Sequence, residues 1–133
     1  MILFLFHVIG YDIWFYISHI LLHHPYLYSR IHKIHHEKKH PLWQDTYHAH
    51  WIEGPFQSLG FLIPLAFCKV SVIELFLAFL VCQVRGLARH DVRLEWLIGN
   101  HHLLHHSKSN YNYGEPWIDR LFNTKLLSKP VEN

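Results

Sequence analysis

The sequence predicts an all-α integral membrane protein with a membrane helical hairpin and a histidine-rich two-metal site at the cytosolic face. Three observations predict it. An apolar stretch runs from Met1 to Leu22, a second runs from Pro55 to Val84, and ten of the fifteen histidines fall into three tight clusters. No segment alternates as a strand should. The chain has the length of one domain, residues 1–133. A net charge of +2 is too small and too dispersed to argue for nucleic acid. Cys68 and Cys82 both lie in apolar sequence, so neither a disulfide framework nor a cysteine-rich zinc knuckle can be built.

The first helix is expected from Ile2 to His23, stopping before Pro25. Roughly 20 apolar residues cross a bilayer, and this stretch is interrupted only by His7, Asp12, Ser18 and His19. It lacks the basic leader and small-residue cleavage site of a signal peptide. His19 and His23 are four apart and share a helix face. Asp12 falls near the same stripe, where a carboxylate either orients a ligating imidazole or pairs with a nearby cation.

The second helix is expected from Tyr26 to Lys39, with His32, His35 and His36 on one arc and Leu27, Ile31 and Ile34 on another. The apolar region from Pro55 to Val84 is broken near Lys69–Ser71 into Phe56–Cys68 and Val72–Val84, each short for a full span. A hairpin dipping into the bilayer, kinked at Pro64, suits these lengths. A further helix, Trp96 to His106, carries His102, His105 and His106. A turn at Asn110–Gly114 and a short helix from Trp117 to Phe122, behind Pro116, close the chain.

Arg30, Lys33, Lys38 and Lys39 follow the first apolar segment, and Arg85, Arg89 and Arg93 follow the second. By the positive-inside rule both flanks are cytoplasmic, which puts all three clusters on one side. Each HxxHH can present two or three nitrogens to one point, and metal–nitrogen bonds of about 2 Å require that convergence. Eight or more imidazoles exceed the needs of one ion, so two are implied. Imidazole suits iron, copper, zinc and nickel alike. The isolated His7 and His40 read as surface or satisfied core residues, and His24, beside a helix end, reads as no ligand.

The ordered set of motifs resembles the fatty acid hydroxylase/sterol desaturase superfamily. Asp12-x-x-x-Tyr16-x-x-His19 with His23–His24, then His32-Lys33-x-His35–His36, resemble its first two histidine motifs. His50-x-x-Glu53–Gly54, the pair His90–Asp91, His101–His102-x-x-His105–His106, Asn110–Gly114 and Asp119–Arg120 resemble its later segments. Within the superfamily the closing motifs lean toward the sterol C-5 desaturases (lathosterol oxidases). Ile20, Trp51 and Asn123 stand where the family usually has arginine, proline and glycine.

The resemblance implies His19, His23, His32, His35, His36, His90, His102, His105 and His106 as metal ligands and catalytic residues. Asp12, His50, His101 and Asp91 are additional or supporting candidates. It also implies two iron ions (replaceable by zinc in a purified form), O2, and electrons from NAD(P)H through a reductase and a membrane cytochrome. A sterol or fatty acyl substrate and the endoplasmic-reticulum membrane complete the expectation. C-5 desaturation is the leading reaction, and sterol or fatty-acyl hydroxylation the alternative. A non-catalytic membrane metal-binding protein is the competing class. A transporter, however, would place its ligands at mid-membrane on an inverted repeat, and no repeat is visible.

Overall fold

The computed structural model describes residues 2–69 and 71–126. Seven α-helices, α1 Ile2–Leu22, α2 Pro25–Arg30, α3 Glu53–Ser58, α4 Val72–Arg89, α5 Glu95–Ile98, α6 His101–Ser107 and α7 Pro116–Leu121, are joined by four 3-10 segments among the described residues. These segments are His32–Glu37, Trp43–Tyr47, Leu59–Ala66 and Val92–Leu94, and no strand occurs among the described residues. Residues 3–22 of α1 form the one described helix long and apolar enough to cross a bilayer, judged by length and composition.

α1 is the axis of the molecule. It packs against the 3-10 segment Leu59–Ala66, against α4 and against α3. The closest crossing is at two glycines: a Cβ on Gly60 would stand 2.8 Å from Tyr11 Cα and 2.8 Å from Trp14 Cβ. Small residues are what allow two helical segments so close an approach. Tyr11 stacks on Phe61 beside this crossing, and Phe61 meets Phe79 of α4. The opposite side of α1, with Leu5, Phe6, Ile9, Ile13, Ile17 and Leu21, is exposed, as are Val72, Ile73, Phe76 and Leu80 on α4.

The interior is unusual in what it holds. Fully or nearly fully buried aliphatic and aromatic residues are few (Phe15, Tyr16, Leu22, Phe61, Ile118), whereas buried histidines and carboxylates are many. Burying polar groups is costly unless they find partners, so their partners define the fold.

The elements differ from the sequence expectation in three places. The second helix is not continuous to Lys39: α2 ends at Arg30, Ile31 turns the chain (φ −122°, ψ −68°), and His32–Glu37 winds as 3-10. The fourth expected helix is split by Gly99, whose φ of 77° ends α5 before α6 begins. The first arm of the apolar pair is a short α3 that tightens into a 3-10 segment carrying Pro64, in place of one kinked α-helix. α7 starts on Pro116 at its first position, as a proline N-terminus should.

Candidate metal centre

α1, the 3-10 segment His32–Glu37, the end of α4 and α6 converge at one end of the bundle and bring nine imidazoles together. They fall into two groups: His19, His23, His32, His36 and His105; and His35, His90, His102 and His106. Within each group the potential donor atoms lie within 4.8 Å of one another. All nine candidate ligands are present, and among the described residues no other histidine joins either group.

The partition departs from the expectation that each HxxHH serves one point. Residues four apart stay together, as His19 with His23, His32 with His36, and His102 with His106. The intervening histidine crosses over, His35 to the four-membered group and His105 to the five-membered one. The two groups therefore interlock, with His36 and His106 rings 5.0 Å apart and His32 and His35 rings 5.5 Å apart across the boundary.

The nitrogens face each other edge to edge. His19 Nε2 lies 3.0 Å from His32 Nε2, His36 Nε2 is 3.1 Å from His32 Nε2, and His23 Nε2 is 3.1 Å from His105 Nε2. In the other group His90 Nε2 is 3.0 Å from both His35 Nε2 and His102 Nε2. Ligands at about 2.1 Å from an ion and at right angles to one another would be about 3.0 Å apart, which is the spacing seen.

Several rings have their tautomer set from outside. His19 Nδ1 donates to Tyr113 O at 2.5 Å, His105 Nδ1 to Tyr111 O at 2.6 Å, and His90 Nδ1 to Gly86 O at 2.8 Å. His35 Nδ1 donates to His48 O at 3.3 Å, and His32 Nδ1 to Glu53 Oε1 at 2.9 Å. A proton on Nδ1 leaves the Nε2 lone pair pointing inward, the form that binds metal. His106 is 4% exposed, yet neither of its ring nitrogens has a protein partner. An unpaired buried polar atom costs about 1–3 kcal/mol. Nine converging imidazoles, five with the proton fixed on Nδ1 and others with orphaned nitrogens, fit a donor set for two cations.

Burial and the crowding of neighbouring rings keep these imidazoles neutral. Burial, then its neighbours His36 and His35, pushes His23 down to about 3. Burial holds His35 and His36 down at about 4 and His106 at about 2. His32, His90, His102 and His105 are lowered in the same way, by burial first. Glu53, 3% exposed, is pushed up to about 8 by burial.

The supporting candidates go elsewhere. Asp12 forms an ion pair with Arg85, so of its two readings the structure selects the cation partner over the orienting of an imidazole. Asp91 is bonded to Arg93, its Oδ2 2.6 Å from the guanidinium. His50 lies beside Trp51 and its Nδ1 accepts from Ile52 N. His101 donates from Nε2 to Asp119 Oδ2 at 2.9 Å. His7 is fully buried and donates to Phe61 O, whereas His24 and His40 are exposed. Arg85, Arg89 and Arg93 are all ion-paired, with Glu115 between the first two. On the first flank Arg30, Lys33, Lys38 and Lys39 are exposed, Arg30 resting over the Tyr26 ring.

Two cavities border the centre. One, about 280 Å³, is lined by His19, His35, His90 and Glu53 with Tyr11 and Phe15. The other, about 680 Å³ and largely apolar, runs from Leu80, Val81 and Val84 of α4 to His102. Three of the four histidines in the smaller group line a cavity, against one of five in the larger. The open side of the centre is thus the four-histidine side.

A helical chain that interlocks two buried imidazole sets below an apolar helix belongs to the class built around a polyhistidine centre. The particular family follows from comparison: the fatty acid hydroxylase family model matches residues 4–124, and the chain belongs to that family. It is 32% identical over 127 residues to methylsterol monooxygenase 1 of Rattus norvegicus, covering 86% of this chain and 43% of that protein. It is 35% identical over 113 residues to lathosterol oxidase of Homo sapiens, covering 78% and 38%. It is 32% identical over 122 residues to the fatty acid hydroxylase ahd1 of Mycosarcoma maydis, covering 89% and 32%. The chain thus spans less than half the length of these relatives. No solved structure matches it significantly.

Proposed function

We propose that this protein is an O2-dependent membrane oxidoreductase acting on a lipid C–H bond, with a two-iron centre held by His19, His23, His32, His36 and His105 and by His35, His90, His102 and His106. The observation that carries this reading is the interlocked pair of donor sets with 3.0–3.1 Å nitrogen edges beside an apolar cavity. When bound, the irons would supply the power to activate O2 and break the C–H bond. The chain's own residues do the rest. Nδ1 donation to Glu53 and to backbone carbonyls fixes five of the nine rings, His19, His32, His35, His90 and His105. Leu80, Val81 and Val84 give the lipid an apolar wall, and the open four-histidine side faces it.

Sterol C-5 desaturation is the leading reaction, consistent with the likeness to lathosterol oxidase. Hydroxylation of a sterol or fatty acyl chain is the second, favoured by the likeness to a methylsterol monooxygenase and a fatty acid hydroxylase. Both begin with removal of one hydrogen from carbon. We place α1 across the membrane, with the apolar arms 59–66 and 72–89 dipping in as a hairpin and the centre at the cytosolic face of the endoplasmic reticulum. Electrons would come from NAD(P)H through a reductase and a membrane cytochrome, which the exposed lysines of the first flank suit. Residues 1–133 act as one domain in this reading.

Co-expression with reductase and cytochrome, followed by gas chromatography of sterols and fatty acids, tests it. A new double bond or hydroxyl is expected. Bound iron without any new lipid refutes the enzyme, and one ion per chain refutes the paired centre.

A further inference from the structure

The two shortest ring-to-carbonyl bonds in the centre come from different helices and end on one tripeptide. His19 of α1 donates to Tyr113 O at 2.5 Å, and His105 of α6 donates to Tyr111 O at 2.6 Å. Both rings belong to the five-histidine group. Between the two carbonyls sits Asn112, with a φ of 59° and 1% of its surface exposed. A left-handed residue here reverses the backbone locally, so that both flanking carbonyls serve one side, and asparagine is among the few side chains that tolerate it.

The tripeptide is clamped from outside. Asn112 N donates to Thr124 O at 2.9 Å, its Nδ2 donates to His101 O at 2.9 Å, and its Oδ1 accepts from Leu126 N at 2.7 Å. Asp119, fully buried, accepts from Tyr113 N and Gly114 N at 2.9 Å each, from Thr124 Oγ1 at 2.6 Å and from His101 Nε2 at 2.9 Å. Gly114 is pressed against α1: a Cβ there would stand 3.0 Å from Tyr16 Cδ2. The amide N–H and both side-chain polar atoms of Asn112, and both oxygens of Asp119, are thus engaged in holding a loop whose carbonyls meet two rings of the centre.

We propose that Tyr111–Asn112–Tyr113 is a backbone strap that positions His19 and His105, and that Asn112 and Asp119 are positioning residues for the ion held by the five-histidine group. His101, the unligating member of its cluster, anchors the same strap through Asp119. This rests on the reading that the two groups bind metal. Among the described residues the strap meets only His19, His23 and His105 of the centre, all in the five-histidine group, so its loss acts on one ion of the two.

The test is metal content and metal affinity of the purified full chain in detergent, with iron or zinc added and then removed by a graded chelator, alongside thermal unfolding. Wild type is expected to hold two ions. Asp119→Ala and Asn112→Ala are expected to keep one ion at wild-type affinity and to bind the other about 10–100-fold more weakly, as loss of a ligand's orienting partner typically does. Asn112→Gly, which keeps the left-handed turn, is expected to lose less than Asn112→Ala. Both ions retained at wild-type affinity in Asp119→Ala and Asn112→Ala overturns the strap. So does loss of both ions together with a collapsed melting temperature, which assigns these residues to general folding. A wild-type chain that binds no ion refutes the metal reading itself and the strap with it.

Discussion

Glu53 is the one carboxylate, among the described residues, bonded to a ring of either donor set. Its Oε1 holds His32, while Oε2 has no protein partner although the residue is buried. A carboxylate partner of this kind fixes the tautomer and orientation of the ring and raises its donor strength. Glu53→Ala is therefore expected to weaken metal binding about 10–100-fold, and Glu53→Gln, which keeps an acceptor for the ring, to weaken it less. Chelator competition measures both. Residue chemistry was only partly readable from the sequence. Spacing and family resemblance together found the nine imidazoles, but Glu53 lies 21 positions from His32 and nothing local announces the contact. The segment His50-x-x-Glu53–Gly54 was the available signal, without a role attached to it.

Among the elements, α1 and its crossing partners carry the sharpest expectations. Gly60 has no room for a methyl group against Tyr11 and Trp14. Gly60→Ala is expected to lower stability by about 1–3 kcal/mol through overpacking, read by thermal unfolding in detergent. The Asp12–Arg85 pair joins α1 to α4, with Asp12 5% exposed. Arg85→Met leaves that carboxylate buried without its cation, a loss of about 3–5 kcal/mol, and Arg85→Met with Asp12→Asn is expected to recover much of it. Element positions followed from the apolar pattern and from Pro25 and Pro116. The breaks at Ile31 and Gly99 did not, because histidine periodicity suits a continuous helix. Ile31 leaves helical geometry and Gly99 takes a positive φ, and each break precedes the histidines of its segment.

For the molecule as a whole, pH and metal act through the same rings. His35 and His36 are held at about 4 and His23 at about 3, against 6.5 in the unfolded chain. Below pH 6.5 the unfolded state binds more protons than the fold, so the metal-free protein's stability falls as pH drops from 6.5 toward 4 and is fully present above that window. Melting temperatures at pH 7.5, 6 and 5 are expected to decline in that order. Bound metal raises the melting point, and chelation lowers it, since the ion binds the folded donor set and scarcely the unfolded chain. The all-helical architecture was readable as a whole because helix caps, apolar runs and histidine spacing agree. The interlocking of the two donor sets was not, because it depends on how four segments converge.

The carbonyls of Tyr111 and Tyr113 have one more consequence, for mutational scanning. Two candidate ligands lean on main-chain atoms, which every amino acid carries. Substituting either tyrosine changes a ring at the edge of the centre and leaves the supporting oxygen in place. Side-chain changes at these two tyrosines would leave both oxygens unprobed, and an ester in place of an amide exposes them directly.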